Sequence, residues 1–458
     1  MFKYMSKTVK LRKGLDIRLI GTAEESSRKV PLSEIVSVKP SDFHSLTPKM
    51  LVKEGDEVLA GTIIFQNKYN ESVKFASPVS GKIKEIVRGE KRRIMQVLIS
   101  TSKNQKFENI KLKPVHSMSD EETKNTLLSS GLWPFIKERP IDVIANPNNK
   151  PKAIFVSTFD SSPLAPNFSY ILKDSRDEIN SGLEVLKKLT TGKVHLNMCA
   201  KESLKKLNLE VEGIQINKII GKHPAGNIGT QIHHIDPLNK GESIWSVNIQ
   251  DLAIIGRYFL EAKYNVKKTI ALTGSEVKNP QYIETIIGTN VSGLIDGEIK
   301  SDNVRVISGN VLTGDKISKD GYLGFYHHQI TIIPEGNEYK FFLSKGWLGP
   351  GFDKFSNSRL FPTFILPRSK KFCLDTNTNG EERAFVVTGE MEKVFPFDIF
   401  PMQLTKAAIT NDIDAMENLG IYEVAPEDFA LCEYVCTTKI NIQEKIRNGL
   451  DLIASECM

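Results

Sequence analysis

Residues 221–237, GKHPAGNIGTQIHHIDP, put three glycines, two prolines, a lysine and three histidines into seventeen positions. Glycine and proline mark irregular backbone, where binding and catalytic groups concentrate. Lysine, imidazole and freed backbone amides are the groups that hold a phosphate, a metal ion or a polarised carbonyl oxygen. Each of these chemistries makes its own demand on spacing. A P-loop needs its lysine directly after the last glycine, with amides surrounding the phosphates. Here Lys222 precedes the loop and Pro224 removes an amide. A dinucleotide fingerprint should follow the first strand of a βαβ unit, yet FVSTFDSSPLAPN (155–167) contains no glycine. A metal site drawn from His223, His233, His234 and Asp236 matches no established zinc spacing. His233 and His234, read as strand neighbours, would moreover face opposite ways. Neither nucleotide nor metal is expected at this loop.

Other reactive residues give equally spare readings. His327 and His328, in YLGFYHHQITII, are expected to pack one ring and solvate the other. Cys432 and Cys436 lie four apart, so a helix would put both thiols on one face. An iron–sulfur cubane needs four ligands, commonly with C-x-x-C spacing, and only Cys457 lies nearby. The pair is expected to be buried and structural. No G-x-S-x-G elbow occurs, and nothing ties a serine or cysteine to a particular histidine. No catalytic residue and no metal ligand is assigned.

The surrounding elements are those of a multidomain α/β protein. MLVKEGDEVLAGTIIF (50–65) and VKFASPVSGKIKEIV (73–87) are short apolar strands broken by turn residues. These turns resemble those of biotinyl and lipoyl carrier domains, whose modified lysine stands about eight residues before the turn proline. Counting back from Pro78 gives Asn70, and the nearest upstream lysine is Lys68, so the carrier shape is expected without the carried group. From about 110, strands such as KAIFVSTF (152–159) and GKVHLNM (192–198) alternate with helices, which is βαβ logic. A helix over 177–189 aligns Ile179, Leu183 and Leu186; another, over 248–265, aligns Leu252, Ile255 and Phe259; AKESLKKL is a short third. Residues 266–345 return to glycine-punctuated strands, and the tail is helical, with 401–420 ending at a C-cap glycine. Five pieces result: a lipoyl-like β barrel-sandwich domain (1–109), a Rossmann-like parallel α/β domain (110–265), a small β-grasp-like domain (266–345), a connecting segment (346–395) and a helical domain (396–458).

Bulk properties set the class. The 458 residues suffice for about three cores, at 40% hydrophobic and 25% charged content. No apolar run approaches a membrane span, and five scattered cysteines suit a reducing compartment. The net charge of +6 is mild. The densest basic patch, VRGEKRRI (87–94), reads as a solvated hairpin tip, with a seat against an anionic membrane face or acidic partner as the alternative; membrane association is expected only through partners or such a basic surface, and nothing supports nucleic-acid binding.

The ordered set GKHPAGNIGT.IH..DP, then Trp245, Asn248, Gln250, Asp251, Ile255, Gly256 and Phe259, resembles the A subunits of the Na⁺-translocating NADH:quinone oxidoreductases. KLRKGLDIRLIG (10–21), VLTGD…YLGFYHHQITIIPEG (311–336) and PFDIFPMQLTKAAITNDIDAMENLGIYEVAPEDFALCEYVCTTK (396–439) extend the likeness along the chain. It departs after Cys436, where the family reads Pro-Gly-Lys-Tyr and this chain has Thr437, Thr438, Lys439 and Ile440. The resemblance implies a peripheral subunit on the cytoplasmic side of the bacterial inner membrane, docked on a six-subunit complex. That complex oxidises NADH, reduces ubiquinone or menaquinone and exports Na⁺. FAD, FMN, Fe–S and the NADH site are then expected on partner subunits, with no flavin or cluster absorption from this chain. The implied role is in quinone reduction or binding, with Lys222, His223, Gly226, Gly229 and His233 as a quinone or interface loop. A purely structural scaffold is the alternative. A flavin- and NADH-binding electron-input subunit of a complex I- or Rnf-like assembly is a remoter one, as is lipoylation or biotinylation at Lys68.

Overall fold

The computed structural model describes residues 7–200, 212–338 and 340–457, except Phe342, Lys345, Trp347 and 358–360. The expected helix AKESLKKL falls almost wholly outside the described residues. The carrier-like region is two antiparallel sheets. One runs Ile35–Val38, Ile94–Thr101, Gly81–Arg88 and Glu57–Val58, and the other Pro48–Met50, Ile63–Asn67 and Lys74–Ala76. Alternating apolar residues close the sandwich, among them Val36, Ile64, Phe65, Ile83, Val97 and Ile99. Phe75 stacks on Phe65 at 4.6 Å and meets Phe43 at 4.7 Å. Residues 89–93 are the exposed tip of the basic hairpin.

The second sheet has seven strands, in the order Thr8–Lys10, Ile214–Ile220, Lys193–Cys199, Ala153–Ser157, Ile244–Asn248, Lys137–Arg139 and Val143–Ile144. The first five are mutually parallel, Lys137–Arg139 runs against them, and Val143–Ile144 pairs antiparallel to it. Ala153–Ser157 is buried throughout because helices cover both sides. Ile154 and Val156 face the helices Arg176–Lys187 and Ile249–Glu261, which carry the expected stripes Ile179, Leu183, Leu186 and Leu252, Ile255, Phe259. Ala153 and Phe155 point the other way, onto Ile232 of the helix Ile228–Ile235. The two long helices cross closely at glycines: a side chain on Gly182 would reach within 2.6 Å of the Leu252 carbonyl oxygen.

A third, mixed sheet runs Asp315–Ile317, Val304–Ser308, Gln329–Pro334, Lys267–Thr273, Gln281–Ile286 and Glu24–Lys29. The first thirty residues thus supply an edge strand to each of these two sheets before the chain enters the barrel sandwich. The helices Pro401–Thr410, Ile413–Asn418, Ala430–Val435 and Ile442–Cys457 build the C-terminal core, which also takes in Ile17 and Leu19. The single helix expected over 401–420 is two. Asn411 adopts left-handed backbone, and the Asp412 carboxylate accepts from Ala415 N at 2.9 Å, capping a new start. Cys432 and Cys436 are both buried, and Cys436 Sγ lies 3.0 Å from Thr438 Oγ1.

Candidate functional site

The loop 221–227 leaves the C-terminal end of the parallel strand Ile214–Ile220 and feeds the helix Ile228–Ile235. This is the sheet edge at which α/β folds hold ligands. Here the chain's own segments fill the ground around the loop. His223 is 3% exposed. Its backbone N–H donates to Asp16 at 2.9 Å, and its carbonyl accepts from Leu15 N at 2.8 Å. Its Nδ1 lies 3.0 Å from Ser161 Oγ, which also accepts from Gly226 N at 2.7 Å. Burial pushes the imidazole down to about 4, so the ring is neutral at physiological pH.

The glycines serve close approach of protein to protein. A Cβ on Gly226 would fall 2.5 Å from Ser161 N, and one on Gly229 would collide with both carboxylate oxygens of Asp428, 2.6 Å from Oδ1. Lys222 is exposed. His233 and His234 lie on a helix, which corrects the strand reading. Ile228, Ile232 and Ile235 recur at helical spacing and seat that helix on the sheet. Neighbours on a helix point about 100° apart; the two rings meet edge-on at 5.1 Å but take different hydrogen-bond partners. His233 turns to the C-terminal core, with Nδ1 2.7 Å from Glu423 Oε2 and Nε2 accepting from Asp398 N at 3.1 Å. His234 Nδ1 lies 2.9 Å from the Thr230 carbonyl oxygen in its own helix. Beneath, a buried amide chain ties the helix down. Gln231 donates to Ser157 Oγ at 2.9 Å and accepts from Asn197 at 2.8 Å, and Asn197 accepts from Asn217.

Two ionic clusters join this domain to its neighbours, and neither was legible as a motif. Arg139, 2% exposed, sits 2.7 Å from Glu427, 3.1 Å from the fully buried Asp428 and 3.7 Å from Asp142. Burial acts to lower the guanidinium, but the three carboxylates outweigh it and hold Arg139 charged. Asp142 is also approached by Lys137 at 3.4 Å and Arg447 at 3.9 Å. The second cluster lies where the strand order reverses, beside Asn248 at the end of Ile244–Asn248. Gln250 Oε1 lies 2.8 Å from His328 Nδ1, and Asp251 lies 3.3 Å from Lys268, whose Nζ donates to the Phe325 carbonyl at 3.0 Å. Side chains of the third sheet therefore occupy the crevice that a dinucleotide would need. His328 is 11% exposed and His327 bonds Ser308 Oγ at 2.8 Å, so both rings are largely buried. That corrects the expectation that one would be solvated.

Among the described residues, no group of three or more His, Cys, Asp or Glu is placed to hold a metal ion. No described helix is long and apolar enough to cross a membrane. Lys68 follows the strand Ile63–Asn67 at an exposed turn, 5.7 Å from the Tyr69 ring.

Comparison with known proteins gives three family models, matched in order along the chain. Residues 9–102 match the family model described as the NqrA N-terminal barrel-sandwich hybrid domain, 118–264 the NqrA second alpha/beta domain, and 269–319 the NQRA C-terminal domain. The chain is 36% identical over 452 residues to the A subunit of the Na(+)-translocating NADH-quinone reductase from Yersinia pseudotuberculosis, covering 98% of this chain and 100% of that one. The namesake from Neisseria meningitidis is 37% identical over the same spans, and that from Rhodopirellula baltica 36%, covering 98% of each chain.

Proposed function

The chain belongs to the family of A subunits of the Na⁺-translocating NADH-quinone reductase, and from that premise we propose that it serves the complex as a peripheral, rigid docking body rather than as an electron carrier. In this reading the other subunits of a six-subunit complex hold NADH, FAD, FMN and Fe–S and pass electrons to ubiquinone or menaquinone. Na⁺ crosses through membrane-spanning partners, and this chain sits on the cytoplasmic side. One observation carries the reading: most of the polar groups of the chemistry-rich loop are engaged in joining segments of the chain itself. His233 reaches Glu423 and Asp398, Gly229 abuts Asp428, and His223 is pinned by Leu15, Asp16 and Ser161. The test is the visible spectrum and intact mass of the purified full chain. A colourless protein of unmodified mass is expected; stoichiometric flavin, cluster or a modified lysine would overturn the proposal.

A second reading, quinone handling at this loop, is favoured by His223. Its ring is neutral, Nδ1 is anchored by Ser161, and Nε2 has no hydrogen-bond partner among the described residues. Such a group suits a quinone carbonyl oxygen. His223→Asn keeps a polar atom near Ser161 and removes Nε2. In the assembled complex a tenfold rise in KM for quinone with kcat retained would support this role, and unchanged kinetics would remove it.

A further inference from the structure

Residues 340–371, between the third sheet and the C-terminal helices, contain seven lysines and arginines and one aspartate, a net +6 that equals the formal charge of the whole chain. The same thirty-two residues hold six of the chain's 23 phenylalanines. Soluble surfaces rarely gather large apolar side chains, yet Phe341, Leu343, Leu348, Phe352, Phe364 and Ile365 are each 52–68% exposed. They are six of the sixteen large exposed apolar residues among the described residues.

The segment folds on itself and on the N-terminal strand region. Lys370 Nζ donates to the Phe352 carbonyl at 2.8 Å, Arg18 donates to the Pro367 carbonyl at 2.7 Å, and Phe372 N donates to the Arg18 carbonyl at 2.8 Å. Its cations lie over rings: Lys354 is 4.6 Å from the centroid of Phe361, and Lys370 is 5.7 Å from that of Phe372. A protein partner could match the apolar residues. The described residues of this stretch set five lysines and arginines against one carboxylate, and such a surface fits best against a dense anionic plane, which lipid headgroups supply.

We infer that residues 361–371 form a membrane-surface contact, with Phe364 and Ile365 entering the headgroup region of an anionic bilayer and Arg368 and Lys371 facing its phosphates. This names a surface for the peripheral reading above but rests on charge and exposure alone, so it can fail while that reading stands. The purified full chain should sediment with vesicles of phosphatidylcholine and phosphatidylglycerol at least tenfold more than with phosphatidylcholine alone, and added salt should weaken it. F364S/I365S and R368E/K371E, with unchanged circular dichroism, should each lose tenfold or more. R92E/R93E, at the other basic patch, should bind as the wild type does. Equal binding to both vesicles, no binding, or loss only in R92E/R93E would overturn the inference. So would a wild type that ignores lipid while R368E/K371E fails to assemble with the membrane subunits, which would assign the surface to a protein.

Discussion

Replacing Arg139 with methionine keeps most of the side-chain volume and removes the charge on which the joint between the α/β domain and the C-terminal helices depends. The effect falls unequally on its three partners. Asp142 retains Lys137 and Arg447 nearby, and Glu427 is 37% exposed, so water can serve it. Asp428 is fully buried, and Oδ2 keeps only the Ala425 amide at 2.9 Å, while Oδ1 has no hydrogen-bond partner. The variant therefore strands one buried carboxylate, a loss of about 3–5 kcal/mol. For a cooperative unit of this size that corresponds to a fall in melting temperature on the order of 10 °C. Trp245 pairs across the sheet with Glu138, next to Arg139, and touches Trp133 at 5.3 Å, so tryptophan fluorescence during urea unfolding reports on this strand. Asp428→Asn in the R139M background removes the stranded charge and should recover part of the loss. An R139M variant within about 1 kcal/mol of wild type, or strictly additive single and double variants, would refute the reasoning, since residues in direct ionic contact should couple.

Two buried histidines oppose folding in mild acid. His195 and His223, each at most 3% exposed, are pushed by burial from 6.5 down to about 4. The unfolded chain takes up these protons first, so their contribution is complete above pH 6.5 and is lost as pH falls toward 4. At pH 5 the loss is about 2 kcal/mol for each histidine; a His223→Asn variant whose denaturation midpoint changes between pH 7 and 5 just as the wild type's does would contradict it. Glu335 behaves as the opposite kind of group. Hydrogen bonding from Arg305 holds it near 2, so its contribution is present above 4.5 and disappears as pH falls from there to 2; Glu335→Gln should flatten stability in that window. Gly229→Ala should cost about 1–3 kcal/mol by driving Asp428 off the helix start. Gly293→Ala, with open space at its Cβ position, should leave thermal stability unchanged or raise it slightly.

Local pattern was legible where neighbours in sequence are neighbours in space. The stripes Ile179–Leu183–Leu186 and Leu252–Ile255–Phe259 lie on the helices that the spacing predicts, and the turns around Gly55, Gly61 and Gly81 separate barrel strands. Ile228, Ile232 and Ile235 carried the same signal, but the glycines and paired histidines around them read as irregular chain or strand. Other features had no local trace. EESSRK at 24–29 lacks any apolar alternation and is a strand only because Gln281–Ile286 offers it an edge. Arg139 and Asp428 are 289 positions apart, and nothing in either neighbourhood points to the other. At the candidate loop, residue types suggested ligand donors, while the partners that engage most of them came from segments far away in the chain.

The route of the first thirty residues also sets an order of assembly on the ribosome. Thr8–Lys10 has no place until Ile214–Ile220 exists, and Glu24–Lys29 must wait for Gln281–Ile286. At about 5–20 residues per second, those delays are roughly 10 to 50 seconds of synthesis. Every strand of the two barrel sheets between them lies at or before residue 101, so their pairing can close early. The nascent chain must therefore carry two loose strands past already paired sheets, and what is made ahead of the barrel is fastened after it.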